Sequence, residues 1–217
     1  MDNDITKKLD TFFKKYKPQQ FKKGEILIRA DDDPAGIYYL EEGLVRRYSI
    51  TGNGEELMLN IYKPHSFFPM SWAMSDVHNT HFYEAMTQAS TWRVPKEDML
   101  RFIKQEPDVL YDLLRRVYIG IEGLWTHIEH LMSGNAYAKL LTAVIIIAKR
   151  FGKHEKDNIV IILNMKEKDL AAYAGMSRET ASRELQLLKQ KNLISYDKGT
   201  ITITNMRKLE NELTMLS

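Results

Sequence analysis

Apolar residues recur along the chain with two different periods. Over residues 5–16 they fall at helical spacing, with Leu9, Phe12 and Phe13 on one face. From Gln20 to about Val94 the pattern changes to short alternating or continuous apolar runs at 21–29, 36–43, 44–50 and 56–62. Gly24, Asp31 to Pro34, Gly43 and Gly52-Asn53-Gly54 punctuate these runs as turns. Many short strands at close spacing predict a sandwich or jelly roll. Helical spacing returns near Pro107-Asp108, where a proline and an acid suit a first turn. Leu110, Leu114, Val117, Ile121, Leu124, Ile128 and Leu131 follow in alternating steps of four and three. That heptad seam predicts a two-stranded coiled coil; the alternative is a stripe packed on the chain's own roll. Leu113, Tyr118 and Trp125 form a flank expected to lie against the roll. The helix would be about 37 Å long over 108–132. Ser133-Gly134-Asn135 breaks it as hinge and boundary. The expected domains are a β-roll at 1–106, the helix and hinge at 107–134, and a C-terminal domain at 135–217.

The C-terminal domain opens with an apolar helix at 138–150, a loop at 151–158 and a strand at 159–163. Leu170, Ala171 and Ala174 then give the spacing of a short helix, which Gly175 ends because glycine tolerates a left-handed residue. Ser177 stands at the N-cap of a second helix. That helix buries Ala181, Leu185 and Leu188 and turns Arg178, Glu179, Ser182 and Arg183 outward. Alternating residues on either side of Asp197-Lys198-Gly199 predict a β-hairpin with a basic tip. Two helices across a tight glycine turn, followed by a hairpin, make a winged helix-turn-helix. Two packed helices with an incidental arginine pair would leave the clustering of Arg178, Glu179 and Arg183 unexplained.

Gly175-Met-Ser-Arg-Glu-Thr-Ala-Ser-Arg-Glu-Leu185, followed by Lys189-Gln-Lys-Asn-Leu-Ile194, closely resembles the DNA-binding motif of the cyclic-AMP receptor/fumarate-nitrate regulator (CRP/FNR) superfamily. More loosely, Lys22-Lys-Gly-Glu25 and Tyr39-Leu-Glu-Glu-Gly43 look like turns of its cyclic-nucleotide-binding β-roll. The resemblance implies an α+β protein with an N-terminal jelly-roll sensor, a long dimerisation helix and a C-terminal winged helix-turn-helix. It implies a bacterial transcription regulator, a homodimer that binds double-stranded DNA at an inverted repeat with a TGA-like core and meets RNA polymerase. Base reading is carried over to Arg178, Glu179 and Arg183, and Ser182 matches a base-reading position of the fumarate-nitrate branch. Lys166, Lys168, Ser177, Thr180 and Lys198 are phosphate candidates, which position without specifying. Surface residues 152–157 are a candidate contact for polymerase.

Cyclic-nucleotide binders in this family carry Phe-Gly-Glu and, further on, Arg-Ser, which hold the ribose and the phosphate. Here Pro69-Met70 and Thr80-His81 stand in their places, so cyclic AMP lacks its partners. Phe67, Phe68, Met70, Trp72, Met74, Phe82 and Tyr83, with Leu124 and Trp125, are expected to line a pocket for an apolar or planar effector, or a collapsed core that binds nothing. Haem could use His65, His78 or His81, yet no axial pair is fixed. On a strand His78 and His81 would diverge, so no metal site is expected. His127 and His130 are expected on a solvated or partner-facing side of the long helix.

Composition narrows the field further. The 217 residues are 28% charged and 44% apolar, an ordinary globular mix, and a net charge of +2 makes any basic surface local. No cysteine is present, which excludes disulfides and thiolate-held iron–sulfur clusters. No hydrophobic leader opens the sequence, and the apolar run at 143–148 is too short to span a bilayer. A cytoplasmic, non-enzymatic protein without a cofactor is expected. Two alternatives stay open: a ligand-independent DNA-binding protein whose roll is only a scaffold, and a cupin-like metalloenzyme with an appended DNA-binding domain.

Overall fold

The computed structural model describes residues 3–155, 158–163, 165–197 and 199–216. It divides into two units, Met1–Tyr118 and Ile119–Ser217, and the division falls inside one long helix, α4 (Pro107–Ser133).

In the first unit α1 (Asn3–Phe13) leads into β1 (Pro18–Phe21), β2 (Ile26–Ile28), β3 (Ile37–Glu42), β4 (Val45–Ile50), β5 (Glu56–Tyr62) and β6 (Phe67–Phe68). After α2 (Met70–Ser75) come β7 (Phe82–Ala85), β8 (Ala89–Val94) and α3 (Lys96–Gln105). Two four-stranded antiparallel sheets, ordered β1-β8-β3-β6 and β2-β7-β4-β5, form the predicted roll. Gly43 turns β3 into β4 at φ 86°, where a Cβ would stand 2.3 Å from the Gln88 carbonyl oxygen, so only glycine fits.

Two apolar clusters fill this unit. Leu9, Phe13, Tyr39, Phe67, Met99, Val109 and Leu113 join α1, the first sheet, α3 and the start of α4, with Phe13 stacked on Tyr39 at 4.3 Å. Tyr38, Phe68, Tyr83 and Val45 form the second, in which Phe68 stacks on Tyr83 at 5.3 Å. On the other face of β4, buried Arg46 bridges Glu56 at 2.6 Å and Glu84 at 2.7 Å. Burial alone would lower the arginine's pKa, but the hydrogen bonds it donates to its two carboxylate partners hold it above its ordinary value.

Val109 and Leu113 fasten α4 to the roll, as expected for Leu113. Tyr118 does not lie against it and is largely exposed; Trp125, in the second unit, is largely exposed as well. They sit one residue beyond seam positions, and a helix advances about 100° per residue, away from the side that Val109 and Leu113 occupy. Within the seam, Leu114, Val117 and Leu124 are 48%, 47% and 53% exposed, while Leu110, Ile121 and Ile128 are half-buried. The side chain of Leu131 lies outside the described residues, as does that of His130.

In the second unit Asn135 caps α5 (Ala136–Phe151), its side chain accepting the Ala138 backbone N–H at 2.9 Å. Helix α5 is the apolar centre, with Leu140, Leu141, Val144 and Ile147 fully buried. Then come β9 (Lys153–Glu155), β10 (Asn158–Ile162), α6 (Glu167–Ala174), α7 (Arg178–Gln190), β11 (Ile194–Asp197), β12 (Thr200–Ile203) and α8 (Met206–Thr214). The antiparallel sheet runs β11-β12-β10-β9. The predicted loop at 151–158 is corrected by β9, whose exposed, polar Lys-His-Glu pairs with β10 at the sheet edge. Lys156 and Asp157 lie outside the described residues.

Candidate nucleic-acid interface

Local chemistry sets the two helices of the motif. The Lys166 backbone N–H donates to Asp169 Oδ2 at 2.8 Å and starts α6. Gly175 ends it in the left-handed conformation at φ 64°, its N–H returning to the Ala171 carbonyl. The Thr180 N–H then donates to Ser177 Oγ at 3.2 Å and starts α7. Leu170, Ala174, Ala181, Leu185 and Leu188 are buried between the elements, as their spacing predicted.

This packing leaves one polar face at the start of α7. Arg178, Glu179 and Arg183 are exposed there and Ser182 is half-buried. The helix N-terminus adds a partial positive charge and unpaired N–H groups, which suits phosphate. Ser177 Oγ and Thr180 Oγ1 lie 3.0 Å apart. Whichever hydroxyl donates, the other keeps an O–H for an outside acceptor. Lys166 and Lys168 are exposed at the head of α6. Lys198, expected at the wing tip, lies outside the described residues; β11 and β12 on either side of it pair antiparallel, with Asp197 opposite Thr200. The Tyr196 hydroxyl fixes the wing by donating to the Met165 carbonyl at 2.8 Å.

One residue behind this face was not singled out from the sequence. Glu184 is buried and accepts from exposed Arg183. Its position, three after Ala181 and four before Leu188, places it on the buried stripe, a signal present in the sequence.

The residues expected to line an effector pocket or a collapsed core have different surroundings. Phe67 and Phe68 are neighbours on a strand and point to opposite faces, one into each apolar cluster. Met70 and Trp72 pack on the Phe67 side, and the Trp72 indole donates to Asp33 Oδ1 at 2.9 Å. Phe82 stacks on Tyr48, the ring over which Arg46 lies. Met74 is exposed, as are Leu124 and Trp125 on α4. Tyr83 belongs to the second cluster, where burial pushes its hydroxyl well above the ordinary tyrosine range.

Four of the histidines, His65, His78, His81 and His127, have local side-chain contacts. His65 Nδ1 lies 2.6 Å from the Tyr39 hydroxyl, and its carbonyl accepts from Arg116 of α4 at 2.7 Å. His78 is 3.5 Å from Asp31. His81 Nδ1 is 3.0 Å from Arg47, and burial together with that cation lowers its pKa. Among the described residues no group of three or more His, Asp or Glu side chains could hold a metal ion. His127, expected on a solvated or partner-facing side, is half-buried, and its ring sits 5.6 Å from that of Tyr173 on α6. Among the described residues no helix is long and apolar enough to cross a membrane.

Both halves of the chain match known families. The family model for a cyclic nucleotide-binding domain matches residues 18–106, and that for a Crp-like helix-turn-helix domain matches residues 138–212. The chain is 25% identical over 189 residues to the global nitrogen regulator of Synechococcus elongatus, covering 86% of this chain and 85% of that one. It is 25% identical over 201 residues to the fumarate and nitrate reduction regulatory protein of Yersinia pestis, covering 93% and 79%. Its fold is shared with a CRP/FNR-family transcriptional regulator from Thermus thermophilus, at TM-score 0.73 and 22% identity over 93% of this chain and 100% of that one.

Proposed function

The chain belongs to the CRP/FNR superfamily of transcription regulators, with a DNA-binding helix-turn-helix and a sensor domain, and from that premise we propose that it acts as a homodimer on an inverted-repeat operator. One observation carries this reading: Arg178, Glu179 and Arg183 share an exposed face at the start of a Ser177-capped helix. Arginine offers a planar fork for guanine O6 and N7, glutamate accepts from cytosine N4, and Ser182 supplies a further polar group beside them. The half-site therefore holds G·C pairs, with a TGA-like core by likeness to the family. Ser177, Thr180, Lys166, Lys168 and Lys198 meet phosphate. The heptad seam Leu110, Leu114, Val117, Ile121, Leu124, Ile128 and Leu131 pairs α4 with the same helix of a second copy. RNA polymerase is the partner such a regulator addresses, and the cytoplasm is its compartment. Selection of bound DNA from a random pool tests the reading. It should return an inverted repeat with half-sites one helical turn apart, and recovery of unrelated sequences would overturn it.

For the roll, we propose that any effector is not a cyclic nucleotide, because Pro69-Met70 and Thr80-His81 supply no cation and no carboxylate for ribose and phosphate. A second reading, a roll that answers to no small molecule, is favoured by Phe68, which is 0% exposed and packed among Tyr38, Tyr62 and Tyr83 of the same chain. A footprint unchanged by added small-molecule cell extract would select that second reading.

A further inference from the structure

Glu184 is a carboxylate that the recognition helix places on its inner side. Only 7% of its side chain is exposed, against 69% for Arg183. A buried carboxylate is costly unless a cation and hydrogen bonds compensate it. Arg183 supplies both: its Nε donates to Glu184 Oε1 at 3.0 Å and its Nη2 lies 2.9 Å from the same oxygen. Successive residues of a helix do not face each other, so this contact requires the arginine to bend around α7. Of its five N–H donors, the pair on Nη1 and one on Nη2 remain. Those three form the end of the guanidinium fork, the edge that fits guanine O6 and N7.

We propose that Glu184 is a positioning residue for DNA reading: it holds the Arg183 guanidinium by one edge, so that the other edge meets a base instead of wandering to a phosphate. The proposal rests on Arg183 being a base reader. It gives the pair a property that neither residue has alone. The carboxylate offsets the arginine's charge, so Arg183 contributes to base preference more than to general attraction for DNA. Removing the carboxylate should act on the two in opposite senses. Discrimination at one base pair should fall, while the salt dependence of binding should steepen by up to about 0.9 per protomer as the freed cation finds a phosphate.

The test uses the full chain and the operator recovered by selection, with every single-base variant, titrated at several salt concentrations. Arg183→Ala should erase a preference of about five- to 150-fold at one base pair. Glu184→Gln should lose most of that same preference at that same position and steepen the salt dependence. Glu184→Met, which fills the space without a polar group to satisfy, should do likewise. If both Glu184 variants keep the wild-type preference while Arg183→Ala loses it, the positioning role is overturned. Equal weakening of every operator, or failure of both variants to fold, would make Glu184 a structural residue and also overturn it. If Arg183→Ala itself leaves base preference intact, the reading of Arg183 fails instead, a distinct outcome that removes the ground of the proposal.

Discussion

Val117→Glu is the sharpest test of pairing through α4. Val117 is 47% exposed in the single chain, so a glutamate there stays in water as long as the chain is alone. Glutamate is also the better helix former by a few tenths of a kcal/mol, so the helix is not weakened. In the dimer the side chain sits in the seam. Full burial of a valine stabilises by about 1.5–3 kcal/mol, of which roughly half remains to be gained on pairing, so about 2 kcal/mol is lost over two chains. Two carboxylates drawn into an apolar seam around a two-fold axis add at least about 3 kcal/mol more. Together about 5 kcal/mol is lost, which weakens dimerisation between a thousandfold and ten-thousandfold. Sedimentation velocity across micromolar concentrations reads this directly. Thr126→Glu carries the same charge at an exposed site off the seam and should leave the dimer intact. A Val117→Glu protein as dimeric as the wild type would mean that α4 is not the pairing element. Ile121 is a poorer choice because it is already half-buried, so a charge there disturbs the single chain too.

Calorimetry should find no binding of cyclic AMP or cyclic GMP, and micromolar binding of either would show that Pro69-Met70 and Thr80-His81 do not replace the family's ligands. Lys198→Ala at the wing should weaken all DNA sequences alike and flatten the salt dependence by about 0.9 per protomer, and a changed base preference would contradict a phosphate role. Glu84→Leu leaves buried Arg46 with Glu56 alone and should destabilise the roll by about 1–3 kcal/mol in denaturant titration; an unchanged midpoint would mean that Glu56 suffices. Glu212 is held below its ordinary pKa of 4.5 by the hydrogen bond from Lys191, helped by Tyr137. Its stabilisation is thus full above that value and lost as pH falls through the lower folded-state pKa. Glu212→Gln should be less stable than wild type at neutral pH and match it in acid, and a gap that persists in acid would refute the pairing.

The parts of this fold legible in the sequence are those where spacing alone decides the outcome. Ala181, Leu185 and Leu188 predicted the buried face of α7, Gly175 its preceding turn, and the run at 56–62 became β5 with the same bounds. Elements that tertiary packing decides were missed. Helices α3 and α8 are mostly polar and each buries only one or two side chains, Met99 and Ile103 in one and Leu209 in the other. Strands β1 and β9 owe their form to a neighbouring strand and not to an apolar pattern. The separate surroundings of the aromatic residues were not legible for a different reason. Phe67, Phe68 and Phe82 are close in composition and sequence, but strand alternation and sheet order send them to three different surroundings. Glu184 was hidden because its letter says surface while its position in the helical period says core.

Alongside the seam, Tyr111, Tyr118, Trp125 and Met132 recur every seven residues, and all are largely exposed. The apolar strip of α4 is therefore three rows wide. Cohesion of such a strip comes from withdrawing hydrocarbon from water, and strongly hydrated salts strengthen it. Attachment to DNA depends on displacing counterions and fades as salt rises. A rise in sulfate concentration should therefore pull the protein off its operator while tightening its grip on its own second copy. In the proposed dimer, attachment to DNA and attachment to the second copy should thus be separable without a mutation, by the choice of salt alone.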